Sequence, residues 1–255
     1  MALFNDGPVS SIEDLQGHDT QLLEVANTEG IDVTRKLTLA QEELSLELRV
    51  MLARISGPVE LASTTSVPSL DHVVVTPPLK LWHAFRTLEL VYRDAYNSQL
   101  NDRYAGKRDE YRSLAQWAYE KVVQNGIGMS QDPLAQAQPP AVQTSPGALA
   151  DGAYYVAATW TNGAGEEGAA SRPVAITING SAFMVRPTGP APSNARGWNV
   201  YVGASPQSMF LQNPAALGLT ETWAQTNPMT ASGRAAGTGQ GPNYMRPAPR
   251  TLQRG

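Results

Sequence analysis

His18, His72 and His83 are the chain's only imidazoles, and there is no cysteine in its 255 residues. The missing thiols exclude disulfides, iron–sulfur clusters, thiolate metal sites and a cysteine nucleophile. The histidines are too far apart for a His-x-x-x-His zinc pair. No Gly-x-Ser-x-Gly elbow offers a nucleophile to His72, beside Asp71, or to His83, beside Leu81 and Phe85, so both read as structural. Glu166-Glu167 follows Asn162-Gly163-Ala-Gly165 but lacks the alternating Asp and Asn ligands of a calcium loop, and a solvated turn is expected there. Gly237-x-Gly239-x-Gly241 has no apolar strand before it, and Pro242 and Pro247 oppose a helix after it, so it is not read as a phosphate cradle. Asn179-Gly180-Ser181 reads as a hairpin turn rather than a glycosylation site. Arg103, Lys107, Arg108 and Arg112 alternate with Tyr104 and Tyr111 in the manner of a nucleic-acid patch. Asp102, Asp109 and Glu110 interrupt the run, and a salt-bridged helix face is the expectation. No catalytic, cofactor-binding or metal-ligating set emerges, so neither enzyme activity nor a cofactor is expected.

The elements that would position these residues fall into two halves. Ser10 or Ser11, with Glu13 or Asp14, forms a capping-box signature, and Ile12, Leu15, Leu22, Leu23 and Ala26 share a face that Gly17 should bend or break. A second helix runs from Asp32 or Thr34 to Ile55, with Leu37, Ala40, Leu44, Leu48, Met51 and Ile55 as its stripe and Gly57-Pro58 as its stop. Leu39, Leu46, Val50 and Leu52 lie off that stripe, so this helix is expected to pack on more than one face. Residues 59–76 read as a long connection with a short extended piece at Val73–Val75. Helices follow from Pro77-Pro78 to about Leu100, and from Asp102 or Ala105 to Asn125. The seam of the former is Leu81, Phe85, Leu88, Tyr92 and Tyr96 or Ala95. The latter turns Tyr111, Leu114, Ala118 and Val122 inward. At roughly 20–24 residues, or about 30–36 Å, the three long helices suit an antiparallel bundle over residues 1–127.

Residues 128–146, rich in Gln, Ala and Pro, read as a linker unable to bury a core. Strand patterns then recur around Tyr154–Trp160, Pro173–Ile178, Ala182–Arg186, Trp198–Val202, Met209–Gln212 and Thr220–Trp223, with one more possible in residues 139–145. They predict a small β-sandwich over residues 147–226, with Tyr154, Val156, Trp160, Ile176, Val200, Val202 and Trp223 in its core. The fold class expected is α+β multidomain: a helical bundle, an immunoglobulin-like sandwich and an extended tail over residues 227–255. The tail holds Arg234, Tyr244, Arg246, Arg250 and Arg254 and no acid, and should extend along an acidic partner. The net charge of −4 conceals this layout, because residues 1–128 carry 18 acidic and 12 basic side chains against 5 and 7 in the remainder. No apolar run suits a membrane span, and Met1-Ala-Leu-Phe-Asn-Asp is no secretory signal, so the chain is expected to stay where it is made.

Leu79-Lys-Leu-Trp-His-Ala-Phe-Arg-Thr-Leu-Glu-Leu-Val-Tyr-Arg-Asp-Ala-Tyr, followed by Asp102-Arg-Tyr-Ala-Gly-Lys-Arg-Asp-Glu-Tyr-Arg-Ser-Leu-Ala, resembles the helical core of head–tail connector proteins of tailed bacteriophages. In that family a tyrosine-bearing helix leads through an Asp-x-Tyr-x-x-Lys-like turn into another helix. The resemblance covers roughly residues 10–125. Separately, Tyr154-Tyr-Val-Ala-Ala-Thr-Trp-Thr-Asn-Gly, Arg172-Pro-Val-Ala-Ile-Thr-Ile and Gly197-Trp-Asn-Val-Tyr-Val are similar to immunoglobulin- or fibronectin-III-like modules of virion proteins. The resemblance implies a virion structural protein, assembled in the host cytoplasm as a ring of twelve copies below the portal. Such a ring joins the capsid to tail or nozzle proteins and lets DNA pass through its channel. Arg234, Tyr244, Arg246, Arg250 and Arg254 would then be a portal-binding tail. The alternative is a virion binding module, its β-sandwich recognising carbohydrate or another virion protein through an exposed Trp198 or Tyr201.

Overall fold

Ser11 opens the first helix: its Oγ accepts the Asp14 N–H at 3.2 Å, and the Asp14 carboxylate accepts the Ser11 N–H at 2.8 Å. This closes the capping box that the sequence suggests. The computed structural model describes residues 2–55, 69–99, 102–225, 229–236 and 240–247. Among these, the chain is α+β, with five α-helices and antiparallel sheets. It divides into two compact units, one comprising Gly7–Met129 and Pro242–Gly255, the other Met1–Asp6 and Ser130–Gly241. The N-terminal residues and the C-terminal segment thus belong to units other than those their sequence positions suggest.

The helices of the first unit are α1 (Ile12–His18), α2 (Leu22–Glu29), α3 (Val33–Ile55), α4 (Pro77–Gln99) and α5 (Ala105–Asn125). The break between α1 and α2 is not at Gly17, which is helical, but at Asp19. Asp19 is only 6% exposed. Its Oδ2 accepts hydroxyl bonds from Tyr92 of α4 at 2.7 Å and Tyr111 of α5 at 2.9 Å, and its Oδ1 accepts the Gln21 N–H at 3.0 Å. A carboxylate taken out of water needs such donors, and holding them bends the chain there. Burial first, then the neighbouring Asp19 charge, pushes both phenols above their ordinary range, so they stay protonated donors. Their rings stack at 5.6 Å between centroids. At the far end of α2, Gly30 takes φ +65°, a left-handed cap that leads into α3.

α4 packs against α3, α5, α2 and α1 and is buried on almost every side, as a central helix must be. Ala95 rather than Tyr96 lies inward, and Leu81 and Leu114 are only half-buried. α3 turns Leu37, Ala40, Leu44, Leu48, Met51 and Leu52 into the core. Of the residues off that stripe, Leu52 is buried and Leu39 half-buried, while Leu46 is 65% and Val50 46% exposed. Most of the 59–76 connection lies outside the described residues. Its end returns as Val73 and Val74, which lie against β1 (Ile127–Met129).

In the second unit, β2 (Ala141–Ser145), β5 (Ala182–Arg186) and β8 (Trp223–Ala224) form one sheet in the order β2-β5-β8. β3 (Gly152–Thr161), β4 (Val174–Ile178), β6 (Gly197–Ser205) and β7 (Ser208–Leu211) form another in the order β4-β3-β6-β7. Both contribute to one core, where Tyr154, Val156 and Trp160 meet Phe183 and Val185 as well as Trp198, Val200 and Val202. Ile176 and Trp223, expected inside, are partly buried at its margin. Asn179-Gly180 is a turn, with Gly180 at φ +59°, but not a hairpin turn: β4 and β5, which flank it, belong to different sheets. A Cβ at Gly203 would lie 1.9 Å from the Ser208 carbonyl oxygen, so the irregular β6–β7 pairing requires glycine.

Residues 128–146 do more than link. Leu134 and Ala137 join the core of the second unit, and β2 pairs with β5 over its whole length. Leu134 is fully buried, and its N–H is satisfied there by the Gln240 side chain at 3.0 Å. The C-terminal segment is likewise held by its own chain where it is described. β9 (Asn243–Met245) pairs with β1, Ile127 opposite Met245 and Met129 opposite Asn243.

Replacing Asp19 with Ala should cost about 3 kcal/mol, because two buried phenols lose their acceptor. Tyr92→Phe and Tyr111→Phe should cost about 1 kcal/mol each and couple measurably to one another. Urea unfolding followed by helical circular dichroism tests this; an Asp19→Ala chain as stable as the parent would refute the role given to the carboxylate.

Candidate functional site

An open groove of about 550 Å³ runs along α3, α4 and α5. Leu46, Trp82 and Tyr119 supply apolar lining, the latter two edge-on at 5.2 Å. Four of its charged residues pair with one another, while Glu47 lines it as well. Arg86 Nε donates to Glu43 at 2.5 Å and its Nη1 to Glu89 at 2.6 Å, while Arg112 Nε donates to Glu89 at 3.2 Å. Burial opposes the Arg86 charge, but the two carboxylates outweigh it and hold the guanidinium above its ordinary pKa. Glu89, 3% exposed, is therefore a neutralised floor rather than a free acid. Apolar patches and mostly paired charges are features that protein contact surfaces share.

Of the five tail residues singled out from sequence, Arg234, Tyr244 and Arg246 lie among the described residues. Arg234 belongs to the β unit, where it meets Glu167 and, at 3.2 Å, the Tyr201 hydroxyl. Glu167 is not a solvated turn residue; it is 3% exposed. It accepts from the Tyr201 hydroxyl at 2.6 Å and from Asn199 Nδ2. Asn199 Oδ1 in turn accepts from Asn213 at 2.7 Å, and Asn213 Oδ1 accepts the Val200 N–H at 2.8 Å. Burial, then the Glu167 carboxylate, pushes the Tyr201 phenol above its ordinary range. Tyr244, in β9, is 52% exposed, and Arg246 just after it is exposed too. Arg250 and Arg254 lie outside the described residues, as does part of the Gly237–Gly241 run. The Glu167 network went unread in the sequence, although Asn199 between Trp198 and Val200 was a signal: a polar side chain within an apolar strand needs buried partners.

The basic run of α5 is engaged on itself. Arg108 bonds Asp109 at 2.8 Å and lies over the Tyr96 ring at 4.5 Å. Lys107 approaches Glu110 at 3.4 Å and the Tyr111 ring at 5.3 Å, and Arg103 covers Tyr104 at 5.5 Å. Such pairing leaves little of a phosphate-binding face. Ser10 and His83 do form a hydroxyl–imidazole pair that sequence spacing gave no hint of. Nε2–H donates to the Leu37 carbonyl at 3.0 Å, which leaves Nδ1 to accept from Ser10 Oγ at 2.5 Å. With His83 at 0% and Ser10 at 2% exposure, the pair is sealed from any substrate. No cluster of three or more potential metal ligands exists among the described residues, and no described helix is long and apolar enough to cross a membrane.

Burial lowers the His83 pKa from 6.5 to about 4, with the Leu37 carbonyl opposing. Between those values the unfolded chain binds a proton that the folded one does not. Stability present above pH 6.5 is therefore lost as pH falls toward 4, by up to about 3 kcal/mol. His83→Gln, which keeps a donor for Leu37, should flatten that part of the stability–pH curve; an unchanged slope would count against it. Arg234→Ala should cost the β unit about 2 kcal/mol, a figure reduced because the guanidinium is half exposed, and a parallel Glu167→Gln change should recover part of the loss on urea titration. Compared with models of protein families, with characterised proteins and with solved structures, the chain matches none of them.

Proposed function

We propose that this chain is a structural virion protein, a head–tail connector that forms a ring below the portal and joins the capsid to tail or nozzle proteins around a DNA channel. Its helices form the ring body as an antiparallel bundle. The two sheets act as an immunoglobulin-like sandwich appended outside. The observation that carries the reading is the uncovered side of α3: Leu46 and Val50, one turn apart, stand exposed beside the groove on the same unit that bears the connector-like α4–α5 segment. Apolar residues left bare in one copy are what a neighbouring copy would cover in a ring. The excess of acidic side chains in the helical half is compatible with a channel that DNA traverses without sticking. Tyr244 and Arg246, exposed on and beside β9, are the described tail residues available to a portal. Arg234 is committed to Glu167.

The binding-module reading loses the platform it relied on, since Trp198 and Tyr201 are both fully buried. The Ser10–His83 pair does not favour an enzyme, for the same reason of access.

Mixing the purified chain with portal protein should give rings by negative-stain imaging and a high-mass species by mass photometry. A Leu46→Glu, Val50→Glu double variant should raise the concentration needed for assembly by about tenfold or more, with circular dichroism unchanged. Monomers alone, with portal present, would sink the connector reading.

A further inference from the structure

Asn-Gly occurs three times in the chain, at Asn125-Gly126, Asn162-Gly163 and Asn179-Gly180. Such a pair can react on itself, because the bare glycine leaves its nitrogen open to approach by the asparagine amide carbon. The fold treats the three differently. Asn162 is 4% exposed and its amide is engaged at both ends, Nδ2 donating to Glu166 at 2.8 Å and Oδ1 accepting the Ala164 and Glu166 N–H groups at 3.0 Å. Asn125 ends α5, where the buried Gly126 donates its N–H to the Val122 carbonyl at 2.9 Å. A Cβ on Gly126 would lie 2.8 Å from the Met245 carbonyl oxygen, so that pair is closed in as well. Asn179 is the opposite case. It and Gly180 are exposed, its side chain makes no hydrogen bond among the described residues, and a Cβ on Gly180 would meet nothing within 4 Å. One contact holds the pair: the Gly180 N–H donates to Asp151 Oδ1 at 2.7 Å.

We infer that Asn179 is a self-modification site, the first of the three pairs to react in the folded chain, and that Asp151 restrains it. The Gly180 nitrogen, on losing its proton to hydroxide, attacks Asn179 Cγ. The N–Cγ bond forms, the Cγ–Nδ2 bond breaks and ammonia leaves, which closes a five-membered imide. Water then opens the imide at either carbonyl, to aspartate or to isoaspartate. The Asp151 carboxylate opposes the first step, because a hydrogen-bonded negative charge favours the protonated amide. The product sets a second carboxylate near Asp151, and isoaspartate adds one carbon to the main chain between Ile178 and Phe183, which lie in different sheets and share one core. The turn is pinned on both sides, Ile178 opposite Gly152 and the Ser181 carbonyl accepting the Leu149 N–H at 3.1 Å, so the extra atom bears on that core. This chemistry does not depend on the connector reading.

The full-length chain is held in warm, mildly alkaline buffer and followed by peptide mapping with mass spectrometry, which reads each conversion as a gain of one mass unit and separates isoaspartyl from aspartyl peptides. Conversion at Asn179 should run at least about tenfold ahead of that at Asn125 and Asn162. Asp151→Ala should accelerate it about threefold or more while leaving the other two pairs alone, and Asp151→Asn, which keeps an acceptor without the charge, should fall between. In guanidinium chloride the ranking should collapse, the three pairs reacting within about threefold of one another, because the fold is what sets them apart. Conversion at Asn179 no faster than at the other pairs in the folded chain, or a ranking that survives unfolding, overturns the inference. A rate unchanged or lowered by Asp151→Ala refutes the restraint; where circular dichroism shows that variant to be disturbed, Asp151→Asn decides in its place by the same criterion.

Discussion

Taking the Asp19 carboxylate out of water costs several kcal/mol unless donors meet it, and those donors come from two helices far away in sequence. The geometry of the helical unit follows from that need. The chain must break after α1 to present the carboxylate, α4 must bring Tyr92, and α5 must bring Tyr111 to the same oxygen. The stacked phenols then continue into the aromatic packing with Tyr104 and Phe85. Hydrophobic burial along α4 supplies the larger share of stabilisation, but it is directionless; the carboxylate fixes which turns of the helices meet.

Glu167 repeats the arrangement in the β unit, with one difference. Two of its side-chain donors are built into β6, and the cation arrives on a surface strap. A fully internal network rigidifies a core. One completed from outside ties a peripheral segment, held also by its backbone bonds to β7 and by the Gln212 amide, to a buried charge. The same contrast separates the groove from the bare side of α3. Arg86, Arg112, Glu43 and Glu89 compensate one another within the chain, whereas Leu46 and Val50 are left without cover. The Ser10–His83 pair, in turn, is sealed within the helical unit.

Much of the architecture was legible in the sequence because it depends on local preference and period. The capping box at Ser11, the α3 stripe from Leu37 to Met51, proline at the start of α4 and Gly126 after α5 act within a few residues of themselves. The apolar alternation in β3 placed Tyr154, Val156 and Trp160 on one face for the same reason. Where locality ended, so did legibility. Gly17 looked like the helix breaker because glycine is a weak helix former, but a partner for Asp19 overrode propensity. Asn179-Gly180 signalled a turn, and nothing nearby could say that its flanking strands enter different sheets.

By itself, then, the sequence determined an α+β chain, the extent of its long helices and most strand positions, and the lack of any cysteine chemistry. Tertiary structure alone decided which polar residues are buried and with whom: Asp19 with two tyrosines, His83 with Ser10, Glu167 with Arg234. The physical reason is that a desolvated charge or hydroxyl is tolerable only when its partner is within about 3 Å. These partners lie 67 to 92 residues apart, a separation that no spacing rule records.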